Sequence, residues 1–129
     1  MTEPDIVVRP YRPPDEPEVV ALWYQCNLVV PWNDPRQDIL HKVAFQPDLF
    51  LVGEIGSRIV GTVMAGYEGH RGWINYLAVA PDYRRMGIGR RLMQVAEHEL
   101  TALGCPKINL QVRSSNAGVI AFYQRLGFV

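Results

Sequence analysis

Apolar and polar positions alternate over short stretches and recur with helical period over longer ones. Residues 6–9, Ile-Val-Val-Arg, form a β-branched run stopped by Pro10, which predicts a first strand. Asp15 then caps a helix in which Val19, Leu22, Trp23 and Cys26 recur at i, i+3, i+4 and i+7 as one apolar stripe. Asp34 followed by Pro35 predicts a second helix, with Ile39, Leu40 and Val43 on one side. Residues 49–55 and 58–65 read as two strands of a hairpin turned at Gly56-Ser57, and residues 73–79 as a further strand ending before Pro81. Leu92, Val95, Ala96, Leu100 and Leu103 mark a long helix stopped by Gly104 and Pro106. Residues 107–112 alternate strictly, as a half-buried strand does, and residues 116–126 read as a last helix closed by Gly127.

The order is β-α-α-β-β-β-α-β-α, with a strand starting at Phe128. It defines an α/β fold with a mixed, mostly antiparallel central sheet flanked by helices. A length of 129 residues fits one domain spanning 1–129, and 48% apolar residues suffice for a core without a metal or disulfide. Thirteen basic residues balance thirteen acidic ones, which argues against a general nucleic-acid or membrane surface, so any anion site must be local. Cys26 and Cys105 have no metal-ligand spacing and read as buried, reduced thiols. His41 and His98 sit singly in helices, so no metal is expected. No apolar run reaches membrane-spanning length and the first residues are acidic, which predicts a cytoplasmic protein.

The chemistry concentrates in residues 77–91, Leu-Ala-Val-Ala-Pro-Asp-Tyr-Arg-Arg-Met-Gly-Ile-Gly-Arg-Arg. A strand stops at proline; two glycines and four arginines then open a long helix. Glycine lets successive N–H groups converge on one anion, where the helix dipole adds roughly 0.3–1 kcal/mol. Arg84, Arg85, Arg90 and Arg91 supply charge suited to a pyrophosphate or ribose phosphate. No Gly-Lys-Ser/Thr follows, and the third glycine and downstream acid of a dinucleotide fingerprint are missing, so neither ATP nor NAD is favoured.

Leu77-x-Val79-x-Pro81 followed by Arg84-x-x-Gly87-x-Gly89 resembles the signature of the GNAT superfamily of acetyl-CoA-dependent N-acetyltransferases. Asn116-x-x-Val119-x-x-Phe122-Tyr123-x-x-Leu126-Gly127-Phe128 is similar to a second family segment, with Val and Phe in place of the usual Ala and Leu. The resemblance in element order covers essentially the whole chain. It implies that Met86, Gly87, Ile88, Gly89 and Arg90 offer N–H groups to the coenzyme A pyrophosphate, bordered by Arg84 and Arg85. It also implies that the pantetheine arm lies along the strand of Leu77 and Val79, like an added strand. Asn116 would contact the pantetheine, or cap the last helix, or both. Tyr123 would be the general acid for the leaving thiolate, with packing against the sheet as its structural alternative.

Many family members are thought to use a glutamate near the start of that strand as base, yet residues 72–79 contain no acid. Glu68 and His70, in the loop before it, are the nearest candidates; a solvated loop charge and a water chain ending at backbone carbonyls are the alternatives. In the family the loop between the first two helices lines the acceptor pocket, so Trp32 would wall it while Asn33, Asp34 or Arg36 selects the substrate. Capping by Asp34-Pro35 and packing by Trp32 explain the same residues structurally. Trp23 reads as core and Trp73 as undecided.

The resemblance therefore implies direct acetyl transfer from acetyl-CoA to an amine, on a small molecule or a protein, in a ternary complex. A noncatalytic acyl-CoA-binding or regulatory module is the alternative, and a nucleic-acid module a weaker one. Family members usually continue past the Leu-Gly-Phe corner with another strand, whereas this sequence stops at Val129. Either the sequence is shortened, or a second subunit completes the edge, which makes a homodimer one expected arrangement.

Overall fold

The computed structural model describes residues 6–32 and 34–106 and the backbone of 108–110. The expectations for Asn33, for the last helix and for the strand at Phe128 lie outside them.

The elements are β1 (Val7–Pro10), α1 (Glu16–Gln25), α2 (Pro35–Ala44), β2 (Phe50–Ile55), β3 (Arg58–Tyr67), β4 (Gly72–Val79), α3 (Ile88–Ala102) and β5 (Ile108–Leu110). They form one sheet in the order β1-β2-β3-β4-β5, antiparallel from β1 to β4, with β5 parallel to β4. The β2–β3 hairpin turns at Gly56-Ser57 as the sequence predicts; Gly56 takes φ +63°, the left-handed conformation such a turn requires.

Alternation along the strands feeds two apolar layers. Leu51, Val63, Ile74 and Leu77 face Ile88, Leu92, Met93, Ala96 and Leu100 of α3. Phe50, Val52, Met64 and Ala78 face Val19, Leu22 and Trp23 of α1 and Ile39 of α2. α3 lies close to the sheet because β3 carries glycine beneath it. A Cβ at Gly61 would come within 2.8 Å of Leu92 Cδ1 and 3.1 Å of the Ala78 carbonyl oxygen. This close approach sets the first turn of α3 beside the end of β4.

Several sequence readings change. Asp15 precedes α1, but its carboxylate accepts from the Arg12 N–H at 2.8 Å and from both terminal nitrogens of Arg9, at 2.8 and 3.0 Å, rather than capping α1. The tight turn Pro13–Asp15 bends it back toward β1. In α2 only Pro35 and Ile39, one turn apart, reach the core. Leu40, rotated about 100° from Ile39, is 60% exposed, and Val43, in line with Ile39 but in the last turn of α2, is 42% exposed. Leu103 ends α3 half-exposed, and Cys26 and Cys105, half-buried, are not in disulfides.

Candidate active site

After β4 the chain makes the short turn Pro81–Tyr83 and then curls through two left-handed residues, Arg85 at φ +66° and Gly87 at φ +80°. Gly87 caps α3, its carbonyl accepting from Arg91 N–H at 3.0 Å. The N–H groups of Ile88, Gly89 and Arg90 have no acceptor inside the helix and form a donor surface at its positive end. A Cβ at Gly87 would meet nothing within 4 Å, so backbone conformation demands glycine there and the space above the loop is open. Arg85, Met86, Arg90 and Arg91 are exposed around it, whereas Ile88 and Gly89 are buried. Among the described residues, Arg85, Arg90 and Arg91 have no ion-pair partner. Backbone donors, an open floor and uncompensated charge suit a pyrophosphate.

Arg84 behaves differently from its neighbours. Its Nε donates to the Val79 carbonyl oxygen at 3.1 Å, and its Nη2 lies 3.6 Å from Cys26 Sγ. Cys26 donates to the same carbonyl at 3.4 Å. Arg84 thus ties the loop to the end of β4 and to the residue after α1.

β4 contains a bulge. Thr62 opposes Ala78 and Met64 opposes Asn75, so Val63 alone faces Tyr76 and Leu77. Tyr76 takes φ +51°, a conformation that costs a non-glycine residue about 1–3 kcal/mol. Its surroundings hold it there. Its ring stacks on Trp23, its carbonyl accepts from Thr62 Oγ1 at 2.8 Å, and its hydroxyl donates to Asp38 on α2. Thr62 Oγ1 in turn accepts from Trp23 Nε1 at 2.9 Å. Beyond the bulge, Ala80 N–H donates to the Val60 carbonyl oxygen on β3. By ladder alternation the backbone groups of Leu77 and Val79 turn to the opposite edge, where the described pairing with β5 spans Gly72–Ile74.

The predicted acceptor residues separate. Trp32 is 78% exposed and packs in no core layer. Asp34 accepts from Arg36 N–H at 2.9 Å as the cap of α2, and Arg36 pairs with Glu16 at 3.0 Å, so both have structural partners. Glu68 and His70 are exposed in the turn between β3 and β4. From Gly72 to Tyr76 the strand runs about 13 Å at 3.3 Å per residue, which keeps both out of direct reach of the bulge. Trp23 is fully buried, Trp73 half-buried, and His41 and His98 exposed. Asn116 and Tyr123 lie outside the described residues. Sequence reading passed over Tyr76, Asp38 and Thr62; its only available signal was Tyr76 breaking the alternation of β4.

A strand bulge beside a helix start with open backbone donors has the makings of an anion site, and comparison with known proteins supplies the family. The family model described as "Acetyltransferase (GNAT) family" matches residues 17–128. An acetyltransferase of Sodalis glossinidius is 50% identical over 121 residues, covering 94% of this chain and 85% of that protein. One from Pectobacterium atrosepticum is 49% identical over 121 residues, covering 94% and 86%. Among solved structures, a Chaetomium thermophilum protein in complex with a bisubstrate analogue has TM-score 0.74 at 30% identity, covering 93% of this chain and 69% of its own. A Streptococcus agalactiae acetyltransferase shares the fold with TM-score 0.81 at 17% identity, covering 95% and 82%. The chain belongs to the GNAT acetyltransferase family.

Proposed function

We propose that the protein moves an acetyl group from acetyl-CoA to a primary amine by direct transfer, with both substrates bound together. The observation that carries this reading is the left-handed turn at Gly87, which opens α3 beside the end of β4. Met86, Gly87, Ile88, Gly89 and Arg90 would hold the pyrophosphate through backbone donors, with Arg85 beside them and Arg84 bracing the loop. The backbone of Leu77 and the Val79 N–H would take the pantetheine amides as an added strand, the Val79 carbonyl being held by Arg84 and Cys26, and Asn116 would contact its far side. Acetyl-CoA supplies the activated acyl group as a thioester.

In the reaction the acceptor nitrogen bonds to the acetyl carbon and the carbon–sulfur bond breaks. The thiolate takes its proton from the Tyr123 hydroxyl, a usable acid at neutral pH because its reference pKa is about 10, and the proton that the acylated nitrogen then sheds restores that hydroxyl through water. The amine must first lose a proton, since a lysine-like amine of pKa about 10.4 is neutral only about once in 2,500 at pH 7. Glu68 or His70 would receive that proton through water, given their distance from the bulge. Trp32, with Asn33, Asp34 and Arg36, would border the acceptor's approach.

Calorimetric titration with acetyl-CoA, followed by thiol release with a panel of amines, tests this. One-site binding and amine-dependent release of coenzyme A are expected. Tight binding without release by any amine would instead favour a noncatalytic acyl-CoA-binding module.

A further inference from the structure

We propose that Lys42 is an anion-recognising group in the acceptor pocket, so that the amine acetylated here carries a carboxylate or phosphate at its other end. The proposal rests on the acetyl-transfer reading above and adds to it a class of acceptor.

Lys42 is half-buried on α2, one turn after Asp38 and so on the same side of the helix. Its ammonium lies over β3 at Gly66, where a Cβ would come within 3.3 Å of Nζ; glycine leaves that space clear. Among the described residues Lys42 makes no hydrogen bond or ion pair, and its ammonium lies over the Phe45 ring, 5.8 Å from the centroid. Gln46 cannot serve it freely. Its carboxamide is committed to the Tyr67 backbone, donating to the carbonyl and accepting from the N–H, both at 2.8 Å. Residues 107–129 contain no aspartate or glutamate. A partly desolvated cation without a counter-ion is costly, and burial lowers this amine to about 8. An anionic ligand would remove that cost.

The register shows what lies beside it. Gly66 opposes Trp73 and Met64 opposes Asn75, and residues opposed in an antiparallel pair share a face. Trp73 and Asn75 therefore join Lys42 on the α2 side of the sheet. Both are half-buried, neither belongs to a core layer, and their side-chain polar atoms make no hydrogen bond among the described residues. The Tyr76–Asp38 pair closes the end nearer the cofactor edge. An amine placed at that end and an anion at Lys42 are separated by about one helical turn, roughly 5.4 Å, a distance spanned by a few bonds.

Lys42 and Lys107 are the chain's two lysines, which allows a direct test on the full chain. With coenzyme A present, both are labelled with acetic anhydride and quantified by mass spectrometry of peptides, Lys107 serving as internal control. Ethanolamine is compared with phosphoethanolamine, and an amino acid with its carboxamide. Anionic amines are expected to protect Lys42 and the neutral ones not; whether phosphate or carboxylate protects identifies the group. In turnover, kcat/KM should favour the anionic member by about tenfold or more, the scale of one charge-assisted hydrogen bond. Lys42→Met should abolish the preference and Lys42→Arg retain most of it, with acetyl-CoA affinity unchanged in both. Equal labelling with every amine, or a preference that survives in Lys42→Met, would overturn the proposal. If no amine releases thiol, the transfer reading fails while the protection pattern still decides the role of Lys42.

Discussion

Trp23 and Tyr76 lie ring against ring, 3.8 Å between centroids and 17° from parallel, and this contact joins α1 to the bulge in β4. The stack continues through Phe50, 5.9 Å from Trp23, to Tyr11, 4.5 Å further on. A left-handed tyrosine in the middle of a strand persists only because its neighbours over-determine it. Here one hydroxyl, on Thr62, is bonded to both partners of the stack, and Asp38 holds the far end of the Tyr76 ring.

Replacing Thr62 by valine keeps the shape and removes that hydroxyl. The Trp23 N–H then loses its buried acceptor, a loss of about 1–3 kcal/mol, and the Tyr76 carbonyl loses a donor. Thr62→Val should unfold at clearly lower urea concentration and transfer acetyl more slowly, while holding acetyl-CoA almost as well. Unchanged stability would mean that the hydroxyl is not what braces the bulge.

Gly87 separates conformation from charge. Nothing lies within 4 Å of a Cβ there, so Gly87→Ala should fold and pay only the left-handed penalty of about 1–2 kcal/mol. Gly87→Glu places a carboxylate among the donors meant for phosphate, and should abolish acetyl-CoA binding in calorimetry. A folded Gly87→Glu protein that binds as tightly as the parent would remove the loop from the cofactor site.

Asp15 gives a pH dependence of known sign. Its carboxyl titrates below the ordinary range because Arg9 donates to it, assisted by the Arg12 backbone N–H, while partial burial opposes them. The folded state thus prefers the carboxylate. That stabilisation is complete above the unfolded value of about 3.9 and is lost as pH falls through the lower folded value. Thermal unfolding of the parent should weaken below about pH 4. Asp15→Asn should be less stable near pH 6 and show a flatter acid limb; parallel curves would refute the assignment.

Tyr123→Phe should lower kcat far more than it changes acetyl-CoA affinity, the pattern of a group acting in the transition state. Steady-state kinetics with calorimetry on the same preparation distinguishes the two. Equal turnover would exclude Tyr123 as the acid.

Local patterns made much of this fold legible. The Trp23 stripe, the Gly56-Ser57 turn and the glycine-containing start of α3 are signalled within a few residues, and they form as expected. What escaped depends on pairing between distant segments. Val63 facing two residues of β4 cannot be read from either strand alone. Asp38 meets Tyr76, and Lys42 meets Gly66, only once α2 packs on the sheet. The segment Trp32–Arg36 shows the converse. Its unusual composition drew attention to the acceptor side, but Asp34 and Arg36 are engaged in starting and bracing α2.

The bulge also makes the length of β4 a fixed quantity. Ile74 and Leu77 are three apart, yet both face α3, which a regular strand does not allow. Removing one residue between them would leave them two apart, both still facing α3, and would erase the bulge and the left-handed turn at Tyr76 without misplacing the core. The exposed turn at residues 68–71 is under no such count. Insertions and deletions in that turn should therefore leave the bulge intact, whereas a one-residue deletion between Ile74 and Leu77 should fold without it, so that variants one residue shorter keep or lose the site according to which side of Gly72 they fall.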